Sequence, residues 1–340
     1  MSFTAFYAFK PNNSNTTQQL IIGREDGTLS SITLNDSAAS HGTPIRNKIH
    51  EGKVLGITHS DDYQVGFSWT ESELAIWNYE TLTKLYSIAM HGIQSIKFQF
   101  GTAFVFLKDA TYIRFDWNGS EIVKLIEAVK IFPDSTTTCT SFNFMVEGGK
   151  GNKVYMFCND YRLRSVTFNK IVKKRVVEDH LYSFDKFKEF GIHHALVSHD
   201  ANVVFIHADE NTPDFVNCKK INGSRKGEYH NMFMFLMSDV SPMYNFRTIP
   251  SCEKVLDMFM SPSRHLLLVL TSDNIHYINL DSENYGSTAR PESISKFQAM
   301  KLSNDESVLY IQCQDGSILP IADPKKKITD SQTIIKSFME

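Results

Sequence analysis

Short apolar runs alternate with short polar turns along most of this chain. The clearest copy has polar residues at 59–64, an apolar run at 65–69, a turn at 71–73 and a second apolar run at 74–79. Runs of this length, rich in β-branched and aromatic residues, are typical of antiparallel strands joined by tight turns. One such unit cannot bury its own apolar face. The pattern therefore predicts repeated β units that stack on one another.

A second polar turn and a recurring strand end set the spacing of these units. Turns of the Asp-Gly kind favour tight hairpins, and they or their relatives occur at 25–27, 108–110, 159–161, 272–274 and 314–316. The third strand of each unit is predicted to end near one of six positions: Ile32, Trp77, Phe115, Val166, Ile278 and Ile321. The wide gap between the fourth and fifth positions fits two units, with candidate strands at 214–218 and 232–237. The total is then seven, with six or eight as alternatives.

Two dipeptides at these strand ends, Trp77-Asn78 and Phe115-Asp116, resemble the Trp-Asp that ends the third strand in WD-repeat β-propellers. His91-Gly92 stands, inverted, where that family usually has Gly-His. The resemblance implies one all-β domain over residues 1–340, a seven-bladed β-propeller with four antiparallel strands per blade. The blades are expected at roughly 1–50, 51–91, 92–132, 133–182, 183–250, 251–291 and 292–340. The segment 333–339 reads either as the outer strand of the last blade or as a short helix. We expect the strand, because a closed ring leaves no unpaired edge.

The cellular compartment is indicated by the cysteines and the N-terminus. The five cysteines, at 139, 158, 218, 252 and 313, include no CxxC pair, which predicts reduced thiols and no thiolate zinc site. Residues 2–10 alternate like a strand and do not resemble a signal peptide. No apolar run approaches the roughly 20 residues that span a bilayer. We expect an intracellular protein, nuclear or cytoplasmic, with no membrane partner.

The sequence contains no pattern that predicts catalysis. His193 and His194 are adjacent in a predicted strand, so their side chains point to opposite faces and cannot share one ion. The Gly-rich segment 147–152 precedes a strand and not a helix, which predicts a hairpin loop and not a phosphate cradle. We expect no enzyme activity, no metal, no cofactor and no small-molecule substrate. A hydrolase with a polar central channel is a less favoured alternative.

Candidate partner-binding residues come from one tryptophan and one basic loop. Trp117 precedes the turn at Asn118-Gly119, which predicts an exposed side chain. The loop contributes Lys219, Lys220, Arg225, Lys226 and Tyr229. The function predicted is a non-catalytic protein–protein scaffold, a subunit of an intracellular complex with other protein subunits as partners. The alternative is a nucleic-acid- or chromatin-associated propeller that binds through basic loops. The net charge of −3 does not favour nucleic acid.

Overall fold

The structure is a computed structural model. It describes residues 3–11, 17–35, 44–60, 63–99, 101–130, 139–147, 151–158, 162–168, 175–183, 192–197, 203–208, 232–236, 244–245, 254–261, 265–279, 281, 285–303, 305–326 and 328. The chain forms two compact units, one of Met1–Asp134 with Thr288–Glu340 and the other of Ser135–Ser287. Every regular element in the described ranges is a β-strand, which confirms the all-β class. Within those ranges no helix has the length and apolar character needed to cross a bilayer.

The described strands form seven sheets, and each sheet is built from strands that follow one another in the chain. The first three sheets contain β1 (Phe3–Phe9), β2 (Thr17–Arg24), β3 (Thr28–Asn35) and β4 (Ile45–Lys48); β5 (Gly56–Ser60), β6 (Val65–Trp69), β7 (Glu73–Asn78) and β8 (Lys84–Ala89); and β9 (Ile93–Gln99), β10 (Thr102–Leu107), β11 (Thr111–Trp117) and β12 (Ile122–Lys130). The fourth and fifth contain β13 (Cys139–Glu147), β14 (Gly151–Cys158), β15 (Arg162–Phe168) and β16 (Arg175–Ser183); and β17 (Ile192–Val197), β18 (Val203–Ala208), β19 (Met232–Leu236) and β20 (Tyr244–Asn245). The sixth and seventh contain β21 (Asp257–Ser261), β22 (Leu266–Leu270), β23 (Asn274–Asn279) and β24 (Tyr285–Ala289); and β25 (Phe297–Leu302), β26 (Leu309–Cys313) and β27 (Ile318–Ile321).

The predicted hairpin turns join the second and third strands of their sheets. Asp26, Asp109 and Asp315 each accept, through Oδ1, the backbone N–H two residues further on, at 3.0–3.1 Å. Gly27 and Gly316 follow two of these aspartates with φ of 84° and 81°, in the left-handed region that glycine adopts without strain. The predicted turn at 159–161 lies outside the described residues.

The predicted strand ends also fall where the pattern puts them. Each of the six positions lies in the third strand of its sheet: Ile32 in β3, Trp77 in β7, Phe115 in β11, Val166 in β15, Ile278 in β23 and Ile321 in β27. In the wide gap, β19 coincides with the predicted strand at 232–237, and the candidate at 214–218 lies outside the described residues. The period could be predicted because each of these six strands has an apolar residue within three residues of its end.

The apolar side chains of the first unit are buried between neighbouring sheets. One cluster joins the first and second sheets through residues such as Phe9, Ile57 and Trp77, and another joins the second and third through Phe67 and Phe115. Burying one such side chain stabilises the fold by about 1.5–3 kcal/mol. The stacking predicted from the sequence is therefore the main source of cohesion within this unit.

The first and seventh sheets also pack against each other and share one core. Phe6 and Leu20 share a buried cluster with Tyr310 and Ile318. The Tyr310 hydroxyl donates to Gln18 Oε1. In the second unit, a separate cluster packs Leu196 of β17 against β21, β22 and β23.

The fourth sheet corrects the cysteine prediction. Cys139 lies opposite Cys158 in the β13–β14 pair, and Cys158 is disulfide-bonded, so the prediction of five reduced thiols is wrong at this position. Directly opposed residues in antiparallel strands are about 4.5–5.5 Å apart at Cα, which is within disulfide range. The linear spacing of the cysteines does not reveal that register. Cys313 is free and buried, and burial raises the pKa of its thiol to about 11.

Candidate interaction surface

A chain of buried hydrogen bonds ties the second sheet to the loop before it. The Trp77 indole Nε1–H donates to Ser68 Oγ at 3.0 Å. His50 Nε2 lies 2.7 Å from the same oxygen, and His50 Nδ1 lies 2.7 Å from Glu73 Oε2. One proton arrangement satisfies every atom: neutral His50 accepts the Ser68 hydroxyl proton at Nε2 and donates from Nδ1 to Glu73. The sequence does not single out His50, because its partners Ser68 and Glu73 are 18 and 23 residues away.

The electrostatics of this chain favour that neutral form. Burial lowers the pKa of His50 below its ordinary value of 6.5, although the hydrogen bond to Glu73 opposes the shift. Burial alone would raise the pKa of Glu73, but hydrogen bonds from Lys84 and His50 bring it below its ordinary value. Lys84 Nζ donates to Glu73 Oε1 and to the backbone oxygen of Ile49, both at 2.7 Å. The network therefore fixes the first residue of β8.

The outermost strand of the second sheet, β8, carries two exposed apolar side chains in succession. Leu85 is 42% exposed and Tyr86 is 41% exposed. The β7–β8 register shifts between Ile76, opposite Tyr86, and Trp77, opposite Lys84, so that Leu85 is the extra residue of a β-bulge. A bulge interrupts the in-out alternation of a strand, and five of the six residues of β8 are exposed.

The direction in which the backbone groups of β8 point follows from one hydrogen bond at its end. Met90 N–H donates to the Ser72 backbone oxygen at 2.9 Å, on the same register as the pairs from Glu73–Ala89 to Ile76–Tyr86. Hydrogen-bonded and non-hydrogen-bonded pairs alternate along an antiparallel ladder. Ser87 and Ala89 are therefore in non-hydrogen-bonded pairs, and their backbone N–H and C=O groups point away from β7. No described strand pairs with β8 on that side.

The exposure predicted for Trp117 is wrong, because this side chain is only 2% exposed. Strand β11 continues through it: the Trp117 N–H donates to the Gly101 oxygen at 2.8 Å. Tyr86 packs edge-on against the indole, with ring centroids 6.4 Å apart. The aromatic residue that is exposed to solvent here is Tyr86, and its ring packs against the buried Trp117. We refer to Leu85, Tyr86 and the outward backbone edge of β8 as the β8 edge.

The outermost strand of the first sheet lies beside the start of β8. Asn47 Nδ2 donates to the Leu82 backbone oxygen at 2.9 Å, and Ile45 in the same strand is 45% exposed. Apolar side chains are thus exposed on the outermost strands of two sheets, Ile45 on β4 and Leu85 and Tyr86 on β8.

The remaining predicted binding residues are not placed by the structure. Lys219, Lys220, Arg225, Lys226 and Tyr229 lie outside the described residues. Across the described ranges, no three His, Cys, Asp or Glu side chains come together in a way that could hold a metal ion.

Stacked four-stranded antiparallel sheets with consecutive strands define a class of protein, the β-propellers. The β-propeller domain of Cps50 (Swd1) from Myceliophteria thermophila is similar to this chain, with a TM-score of 0.60 and 9% sequence identity over 95% of this chain and 98% of that one. Sqt1 from Saccharomyces cerevisiae is similar with a TM-score of 0.58 and 10% identity, over 96% of this chain and 84% of that one. At these identities the likeness shows the fold alone, a β-propeller. No protein-family model matches the sequence, and no curated protein matches it.

Proposed function

We propose that this chain is a non-catalytic protein–protein interaction scaffold, a subunit of an intracellular multiprotein complex in the nucleus or cytoplasm. In this proposal residues 1–340 form one WD-repeat-like propeller with seven blades at the boundaries predicted above. The seven sheets among the described residues and the β-propeller fold of Cps50 (Swd1) support it. The observation that carries the function is the exposed apolar pair of the β8 edge.

Leu85 and Tyr86 have the properties of an interface anchor. Tyrosine is enriched among the residues that dominate binding energy, and Tyr86 is held by packing on the buried Trp117. A rigid platform with preset side chains loses little conformational entropy when a partner binds. The proposal is therefore a binding role that depends on the surface and not on a reactive group.

Quantitative affinity purification tests this function. The tagged wild-type chain is compared with the double variant Leu85→Ser, Tyr86→Ser and with Leu55→Ser, a control that removes another exposed apolar side chain (38% exposed) away from β8. We expect a defined set of proteins to be lost with the double variant and kept with the control. Identical sets from all three chains would contradict the proposal.

The predicted basic loop gives a second candidate function. Lys219, Lys220, Arg225 and Lys226 place four cationic side chains within eight residues, which favours an acidic protein surface or nucleic acid, with Tyr229 available for stacking. Binding of a labelled single-stranded RNA should weaken steeply between 50 and 200 mM salt if nucleic acid is the partner. It should weaken further in Lys219→Glu, Lys220→Glu. Salt-insensitive binding of a protein partner would support the scaffold instead.

The same proposal assigns residues 333–339, which lie outside the described residues, as the outer strand of the last blade. In support, β27 is as buried as the third strands of other sheets, with Ile318 and Leu319 fully buried. The Asp323 Oδ1 accepts the Lys325 N–H at 3.0 Å, as Asn78 Oδ1 accepts the backbone N–H groups of the turn that leads into β8. Deletion of residues 331–340 should lower the melting temperature by several degrees. An unchanged melting temperature would argue against this assignment.

A further inference from the structure

We propose that β8 binds an extended peptide segment of a partner protein as an added β-strand. The inference rests on the proposed scaffold function and names the chemistry of its partner. It depends on the backbone of β8 together with Leu85 and Tyr86.

The backbone of β8 offers a hydrogen-bonding edge that another strand can satisfy. The N–H and C=O groups of Ser87 and Ala89 point outward, as the register through Met90 and Ser72 requires. Rows of such groups pair with an extended main chain, which is the basis of recognition by strand addition.

Comparison with β4, the outermost strand of the first sheet, shows that β8 lacks the protection that β4 has. Natural edge strands are blunted by short length, charge, proline or cover. Strand β4 has only four residues and exposes Arg46 and Lys48. Strand β8 has six residues, all but Ile88 exposed. Its only charge, Lys84, lies at one end and is held by Glu73.

The side chains of the β8 edge give the added strand its preferred sequence. Leu85 and Tyr86 are adjacent and both more than 40% exposed, so a partner strand with an aliphatic or aromatic residue at the matching position can bury them. A charged side chain there would be desolvated against Leu85 without a counter-ion, at a cost in affinity. We therefore infer an apolar, extended partner segment and not an acidic or basic one.

A proline substitution separates the backbone role from the rest of the molecule. Ser87→Pro removes one outward N–H and no bond to β7, a position that edge strands tolerate. Ser87→Ala is the matched control, because it changes the same side chain and keeps the N–H. Far-UV circular dichroism and thermal melting establish that both variants keep the fold.

The probe is a set of linear 12-residue peptides selected from a random phage library on the immobilised wild-type chain. We expect selected peptides to be rich in β-branched and aromatic residues. They should bind Ser87→Pro at least about tenfold more weakly by fluorescence anisotropy and bind Ser87→Ala as they bind wild type. In the wild-type chain, hydrogen exchange at the Ser87 and Ala89 amides should slow when peptide binds, a readout that holds even if Ser87→Pro fails to fold.

Three results would overturn the inference. The first is that the selected peptides bind Ser87→Pro with the same affinity as the wild-type chain. The second is that peptide binding slows hydrogen exchange only at amides outside β8. The third is that no peptide binds with a Kd below about 1 mM. A dimer of the free chain with protected β8 amides would make a second copy the occupant and would also overturn it. If the Leu85, Tyr86 double variant loses its proteins while Ser87→Pro retains them, the scaffold function stands and strand addition fails.

Discussion

Ser68 holds the centre of the buried hydrogen-bond chain, and Ser68→Ala removes one oxygen from it. That oxygen bonds to Trp77 Nε1 at 3.0 Å and to His50 Nε2 at 2.7 Å. All three residues are at most 1% exposed, so bulk water has no direct access to replace it. A buried polar group left without a partner costs about 1–3 kcal/mol. Two such groups, the Trp77 indole N–H and His50 Nε2, predict a loss of about 2–6 kcal/mol in the free energy of unfolding.

Urea unfolding followed by circular dichroism measures this loss, provided that the m-value stays the same. Ser30→Ala is the matched control. Ser30 is also fully buried, but its hydroxyl has no hydrogen-bond partner in the structure. Removing that hydroxyl should change stability by less than about 0.5 kcal/mol or raise it, because a buried hydroxyl without a partner is itself unfavourable.

A double-mutant cycle then isolates the indole contact. In a Trp77→Phe background the indole N–H is already gone, so Ser68→Ala should cost about 1–2 kcal/mol less than in wild type. Equal costs in both backgrounds, or equal costs for Ser68→Ala and Ser30→Ala, would refute the reasoning that unpaired groups dominate the effect.

Other features of the chain give four further predictions. Gly27→Ala should destabilise by at least about 2 kcal/mol, because φ is +84° and an added Cβ would lie 2.0 Å from the His50 carbonyl oxygen; Gly52→Ala, whose Cβ meets nothing within 4 Å, is the neutral control in the same urea assay. The pKa of His50 is lowered in the folded chain, so as the pH falls the imidazole becomes protonated in the unfolded chain before it does in the folded chain. The stability contributed by neutral His50 is complete above pH 6.5 and is lost as pH falls below it. Urea midpoints at pH 7.5 and 5.5 should therefore differ more in wild type than in His50→Gln, and equal differences would contradict this. Because Cys158 is disulfide-bonded, thiol titration of the denatured, unreduced chain should find about three of the five thiols, and a count of five would show the bond absent. Cys313, with a pKa of about 11, should resist alkylation at pH 8 until the chain unfolds.

Strands and turns were readable from sequence because their causes are local. Asp26 accepts a hydrogen bond from a backbone group two residues away, so three consecutive residues are enough to predict its turn. Trp77 marks the end of β7 because a large apolar residue recurs there in every unit where the pattern was read. Such signals require no knowledge of which sheet is the neighbour.

The candidate surface was not readable because its causes are contacts between distant segments. Trp117 was predicted to be exposed because a turn follows it. In the structure the ring of Tyr86, from another sheet, packs against its indole. His50 differs from other histidines of the sequence only through its hydrogen bonds with Ser68 and Glu73, which are distant in sequence. The bulge at Leu85 is visible only in the pairing of β8 with β7, and neither the residue types nor their alternation predicts it.

The packing of Tyr310 and Ile318 against Phe6 and Leu20 has a consequence for biosynthesis. A ribosome synthesises the first sheet long before the seventh, so the apolar face of the nascent β1–β3 hairpins stays without its cover until β26 and β27 have left the ribosome. We expect this stretch to engage chaperones during synthesis and to become fully protease-resistant only after β26 and β27 have packed against it.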